Sequence, residues 1–335
     1  MNLKTNFCRF MVLAVFLICG LCPADAQENK KFRVLVVFSY ENSHPFTGDY
    51  KEGIESVLGT VCEIRYFFMN TKMNFNGGPE KAKEAFAVYE EFQPDGVIVA
   101  DDDAQAMFVV PYLKDRVKTP VIFCGVNAEP EKYGYPASNI TGILERLHIR
   151  ESISLVQQLI PSAKHIGFLM KESPLAVFVT AQTEKEADTY SAVSAGVSYP
   201  KTLKEALAMA EEFKKTCDML YASGLEGLLG EDGNPLTEKE MYKTVVKAFG
   251  KPVIGSNAYQ VRLGALCSVV QRMQEQGEVA ARMLLKAMQG TPISEIPITR
   301  NLEGKRVLNV SVLKKLGIKP QAEVLTKTEF VTAEE

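Results

Sequence analysis

Three consecutive carboxylates, Asp101-Asp102-Asp103, stand directly after the apolar run Gly96-Val97-Ile98-Val99-Ala100. Like charges crowded at one strand end repel, so something must offset them. One device is a helix N-terminus, where a capping carboxylate and its neighbours gain about 0.5–2 kcal/mol from backbone amides and the macrodipole. A cap uses one side chain, and the position before residue 104 assigns it to Asp103. Asp101 and Asp102 could then accept hydrogen bonds from a cationic ligand, hold a divalent metal, or act as an acid/base pair. A dehalogenase-type phosphotransferase needs Asp-x-Asp followed by Thr or Val, and a receiver domain carries its phosphoacceptor on another strand. Neither pattern is completed in this chain.

A second candidate stretch is 39–47, Ser-Tyr-Glu-Asn-Ser-His-Pro-Phe-Thr. It is long for a strand-to-helix connection, which usually takes about 2–6 residues. Ser39 offers a hydroxyl, and Tyr40 and Phe46 offer an apolar face, although Phe46 could equally staple the following helix. His44 has no Ser or Cys at a recognisable spacing and reads as a surface residue. Residues 223–230 spell G-x-x-G-x-x-G after Ser223 rather than G-x-G-x-x-G, and no Walker lysine follows, which argues against nucleotide binding. G-x-S-x-G and H-E-x-x-H are both missing, so the common hydrolase signatures are too.

The elements that would position these residues can be read from periodicity. Short apolar runs alternate with amphipathic stretches from residue 31 onward, the sign of parallel sheets covered on both faces. In the first half strands are expected at 34–38, 62–68, 96–100 and 120–124, with helices at 49–58, 79–92 and 104–114. In the second half helices are expected at 151–159, 175–189, 201–215 and 237–249, and strands at 165–170, 192–198, 218–222 and 252–255. The same order of elements twice over implies two α/β lobes with a cleft between them. A long amphipathic helix at 274–288 follows and could return to the first lobe. The expected division is a first lobe at 32–144, completed by a helix near 273–290. A second lobe at 145–270 would be completed by 291–300, and 301–335 would be a tail packing on both. In open parallel sheets ligands bind beyond the carboxyl ends of the strands. That rule selects the loops after 38, 100, 124, 170, 222 and 255.

Composition narrows the function. With 46% hydrophobic and 24% charged residues, the chain can bury a large core. Lys4 and Arg9 precede the apolar run 10–18, and Ala24-Asp25-Ala26 supplies an A-x-A cleavage site, so residues 1–26 read as an export signal. Ile18 and Leu21 precede Cys19 and Cys22 where lipid attachment favours a small residue, which argues against a lipoprotein. Without that segment 36 basic face 40 acidic side chains, and there is no basic run to suggest nucleic acid. Cys62, Cys124, Cys217 and Cys267 sit among apolar or β-branched neighbours and read as buried thiols, with disulfides the alternative in an oxidising compartment. His44, His148 and His165 are scattered, and no Cys-x-x-Cys follows residue 26, so neither zinc nor another cofactor is expected.

The stretches PDGVIVADDDAQAMFVVPYLKDRVKTPVIFCGVN and NITGILERLHIRESISLVQQLIPSAKHIGFLM resemble the ABC transporter substrate-binding protein family of periplasmic binding protein type I fold. VVFSYENSHPFTGDYKEGI is similar to the first strand and loop of sensor-like relatives in histidine kinase extracellular domains. QGEVAARMLLKAMQGTPISEIPI and VLNVSVLKKLGIKP resemble the closing segments of transporter-type members. The resemblance implies two Rossmann-like lobes joined by a hinge of several crossings and closing over a small organic ligand, with an amino acid or amine favoured. It places cleft contacts on Ser39, Tyr40, Asp101, Asp102, Asn127 and Glu145 in or beside the first lobe. In the second lobe it places them on Glu172, Ser173, Ser223, Gly224 and Asn257, and Phe46 is added for its loop. It implies a periplasmic, non-catalytic monomer that delivers its ligand to a membrane ABC permease, or alternatively reports to a separate sensor kinase. A magnesium enzyme built on the aspartates is the third reading.

Overall fold

The computed structural model describes residues 31–333. The expected export segment lies outside them. The first lobe opens with β1 (Phe32–Phe38), α1 (Pro45–Leu58), β2 (Cys62–Phe68), α2 (Gly78–Phe92) and β3 (Gly96–Ala100). A short α3 (Asp102–Ala104) runs into a π-helix over Gln105–Leu113, followed by β4 (Val121–Val126) and β5 (Ile140–Leu144). The second lobe holds α4 (Ile149–Leu159), β6 (His165–Met170), α5 (Pro174–Glu186), β7 (Val193–Ser198), α6 (Leu203–Thr216) and β8 (Met219–Ser223). It continues with α7 (Glu238–Phe249), β9 (Val253–Ile254), α8 (Ala258–Arg262) and β10 (Cys267–Gln271). After these come α9 (Met273–Met288), β11 (Thr299–Arg300), β12 (Gly304–Asn309), α10 (Val310–Lys315), α11 (Ala322–Leu325) and β13 (Thr328–Val331).

Two sheets result, ordered β11-β5-β4-β3-β1-β2 and β13-β12-β10-β9-β8-β6-β7. All pairings are parallel except β10 with β12. Apolar runs without alternation suit strands buried on both faces. In β1, Leu35 and Val37 enter one core cluster while Val34, Val36 and Phe38 enter another. β8 divides in the same way, with Met219 and Tyr221 on one face and Leu220 and Ala222 on the other. Among the described residues Cys62, Cys124, Cys217 and Cys267 are all buried. Among the described residues no helix is long and apolar enough to cross a membrane.

Helix α9 packs along α1 in the first lobe, and a pair of glycines sets the distance. A Cβ on Gly277 would strike the Tyr50 carbonyl, and one on Gly53 would strike the Gln274 carbonyl, so the two backbones touch where side chains would separate them.

Several elements differ from the sequence reading. Helix α1 begins at Pro45, whose fixed φ and missing N–H suit the first helical turn, so the connection after β1 is 39–44 and of ordinary length. The expected helix 104–114 is mostly π-helical, with Lys114 N donating to Val109 O. Pro111 lies inside it; a proline would clash with the carbonyl four residues back in an α-helix, and the wider turn relieves that clash. The segment 291–300 was expected in the second lobe, but β11 pairs with β5 of the first sheet, Thr299 beside Ile143 and Arg300 beside Leu144. The first sheet's open edge accepts it, and the Thr141 hydroxyl holds the approach by donating to Ile296 O at 2.7 Å. Nor is 301–335 a tail alone, because β12 and β13 extend the second sheet.

The chain crosses between the sheets after β5, after β10 and after β11, and polar side chains lace the crossings. Asn301 Oδ1 accepts from Arg146 N at 2.7 Å while its Nδ2 donates to Arg146 O at 3.0 Å. Gln271 Nε2 donates to the same carbonyl at 3.1 Å, and Glu275 accepts from the amides of Leu302 and Glu303.

Candidate functional site

At the carboxyl ends of β1, β3, β4 and β5 the first-lobe candidates form one cluster. Ser39 is fully buried; its hydroxyl donates to Ala100 O at 2.8 Å and accepts from Ala104 N at 2.9 Å. A serine just after β1 therefore caps the helix after β3, and this corrects the assignment of that cap to Asp103. The aspartates point three ways instead. Asp103 Oδ2 accepts from the Thr71 hydroxyl at 2.7 Å. Asp102 accepts from the amides of Asn127 and Ala128 and from the Tyr133 hydroxyl at 2.7 Å, so it clasps the loop after β4. Asp101 alone has a carboxylate without a hydrogen-bond partner among the described residues, although the residue is only 5% exposed.

The backbone at Asp101 is unusual as well. Its φ of 68° and ψ of 166° fall in a region occupied almost only by glycine, at a cost of about 1–3 kcal/mol. Asp101 N donates to Cys124 O, which keeps it in the strand ladder, while the twist turns its side chain toward Gly125. Gly125 also has positive φ, and a Cβ there would meet the Tyr50 hydroxyl at 2.6 Å and Asp101 Oδ1 at 3.0 Å. The missing side chain leaves the room that both groups use.

Around Asp101 the field is negative. Burial, then the charges of Glu145, Asp102 and Asp103, push its pKa far above the usual carboxylate range, opposed by Lys72. Glu145 is raised to about 7, chiefly by burial and further by Asp102, against hydrogen bonds from the Tyr50 hydroxyl and Gln271 amide at 3.3 Å each and the charge of Arg146. Tyr40 is raised by burial and by Asp101, Asp103, Asp102 and Glu145. Its ring lies 4.7 Å from Lys72 Nζ and contacts His44, which meets Phe46 edge-on. Among the described residues no three His, Cys, Asp or Glu side chains are grouped to hold a metal ion.

The second-lobe candidates gather at the ends of β6, β8 and β9. The Ser223 hydroxyl donates to Ser256 Oγ at 2.9 Å, and Gly224 beside it has a φ of 60°. Ser173 and Asn257 cap α5 and α8 through Ala176 N and Gln260 N. Ser173, Ser223 and Gly224 line one small recess with Lys171 and Leu175, while Glu172 is exposed. Among the described residues no hydrogen bond joins the first-lobe candidates to these. Sequence reasoning missed Tyr50, Lys72, Gln271 and Ser256. Tyr50 and Gln271 reach Glu145 from a helix and a strand that are far from it in the chain, and no local pattern marks them.

Comparisons with known proteins agree with this architecture. Residues 69–332 match the family described as ABC transporter substrate binding protein. A tyrosine-binding protein of Clostridioides difficile (strain R20291) is 22% identical, over 74% of this chain and 71% of its own. The ligand-free, open structure of a substrate binding protein with adhesive properties from Clostridium difficile superposes with a TM-score of 0.66 at 18% identity, over 90% of this chain and 100% of the other. An ABC domain from Streptococcus pneumonia in complex with L-Trp gives 0.53 at 19% identity, with the same coverage.

Proposed function

Because this chain belongs to the ABC transporter substrate binding protein family, we propose that it captures an amino acid between its two lobes, an aromatic one being favoured, and presents it to a membrane ABC permease from the periplasmic side. Asp101 carries this reading. A carboxylate that accepts no hydrogen bond among the described residues, on a residue only 5% exposed and held at a strained backbone position at a strand end, is matched by an ammonium group, which would supply both charge and donors. Glu145 and Tyr40 line the same place. Across the cleft, the backbone amides near Gly224, where the chain turns at positive φ, can donate to a ligand carboxylate. Tyr40, His44 and Phe46 form an aromatic row suited to a flat side chain. The tyrosine-binding relative and the L-Trp complex support this ligand class.

The test is a calorimetric and thermal-shift titration with L-tyrosine, L-tryptophan, other amino acids, amines and sugars. A ligand at 100 times its Kd raises stability by about 2.7 kcal/mol. We expect an amino acid to stabilise the protein and Asp101→Asn to weaken it by at least about tenfold, near 1.4 kcal/mol. Stabilisation by sugars alone, or equal affinity in Asp101→Asn, would reject the reading.

A further inference from the structure

A cavity of about 490 Å³ lies on the second lobe and shares no residue with the cleft candidates. That volume falls within the range of small-molecule sites, roughly 300–1,000 Å³. Arg150, Ser154 and Gln158 come from one face of α4, Thr189 and Ser191 from the segment before β7, and Arg306 from β12. Val269 and Leu302 are the apolar part of the wall. The wall carries one carboxylate, Glu151, and that charge is already met. Its Oε1 accepts from Arg150 Nε and Nη2 at 3.1 and 2.8 Å, and its Oε2 lies 3.4 Å from His148 Nδ1 and 3.9 Å from Arg300 Nη2. Arg306 makes one long contact, to Gln158 Oε1 at 3.5 Å. The excess charge of the wall is therefore positive.

Guanidinium groups bind carboxylates through paired parallel hydrogen bonds, and Ser, Thr and Gln side chains can both donate to and accept from alcohols. We infer that this cavity is a second ligand site, for a small hydroxylated carboxylate, separate from the cleft. Leu302 and Gly304 belong to or adjoin the third crossing between the lobes, so an occupant would touch the hinge. The inference does not depend on the amino-acid reading.

Citrate, with gluconate and malate beside it, is the probe. We expect saturable one-to-one binding by calorimetry, weakened on the order of tenfold in Arg306→Gln. Amide chemical shifts of the native chain, which need no variant, should move around residues 150–158, 189–191 and 302–306. Saturable heat from none of the three acids, shifts confined to the ends of β1, β3 and β8, or undiminished citrate binding by folded Arg306→Gln would each overturn the proposal.

Discussion

Glu145 sits where three influences meet: burial, the Asp102 charge, and hydrogen bonds from Tyr50 and Gln271. The net effect raises its pKa from 4.5 to about 7. A raised folded-state value means that the folded protein keeps a proton that the unfolded chain has released. The stabilisation this gives is complete below the unfolded pKa and is lost as pH rises through about 7. Glu145→Gln holds the neutral form permanently. Urea unfolding should find it no more stable than the native protein near pH 4, and more stable by about 3 kcal/mol at pH 8. A difference that does not grow with pH would show that the carboxylate stays ionised in the fold. At this scale the run of charge after an apolar strand marked Asp101, while Glu145 was marked by the family resemblance. The sequence could not say which of three adjacent aspartates would remain unpartnered, since Thr71, Tyr133 and the 127–128 amides arrive from other parts of the chain.

Helix and strand ends are organised by contacts between elements. The amide of Ala104 is capped by Ser39, which follows a different strand, and Thr71 ties that serine's carbonyl to Asp103. Ser39→Ala would leave a buried N–H without its acceptor and remove the donor to Ala100 O, a loss of about 1–3 kcal/mol. Asp103→Asn keeps an acceptor for Thr71 and should change stability by less than about 1 kcal/mol. Denaturation of the two variants in parallel checks the order; a larger loss in Asp103→Asn would restore the local cap. Most strands and helices were legible because their apolar periods are long and uninterrupted. The start of α1 was not, because the polar run before it masks Pro45 as the first helical residue. The π-helix was not either, because Pro111 in an apolar run can signal a break, a kink or a widened turn.

Across the whole molecule, charged side chains bridge the lobes on the side of α5. Lys185 of α5 reaches Glu129, which also binds Arg146 at 2.9 Å, and Arg300 of β11 meets Glu186. Of these only Lys185 is well exposed, and a pair with an exposed partner contributes at most about 1 kcal/mol and weakens with salt. Lys185→Met should therefore shift the Kd of the cleft ligand by less than about fivefold, with the shift shrinking at high salt. A loss of binding in calorimetry would make the Glu129–Lys185 contact a main determinant of the closed state.

The sequence by itself determined the two-lobed α/β class and the strand ends where ligand contacts are sought, because these rest on hydrophobic period, and it marked the family through the resemblance of whole stretches. Only the tertiary structure decided where the late segments belong, with β11 in the first sheet and β12 and β13 in the second. It also decided which aspartates are held by hydrogen bonds from other elements. Both outcomes depend on pairings between residues distant in the chain, where an open sheet edge or a hydrogen-bond donor from another element selects the partner, and a linear pattern carries no record of that choice.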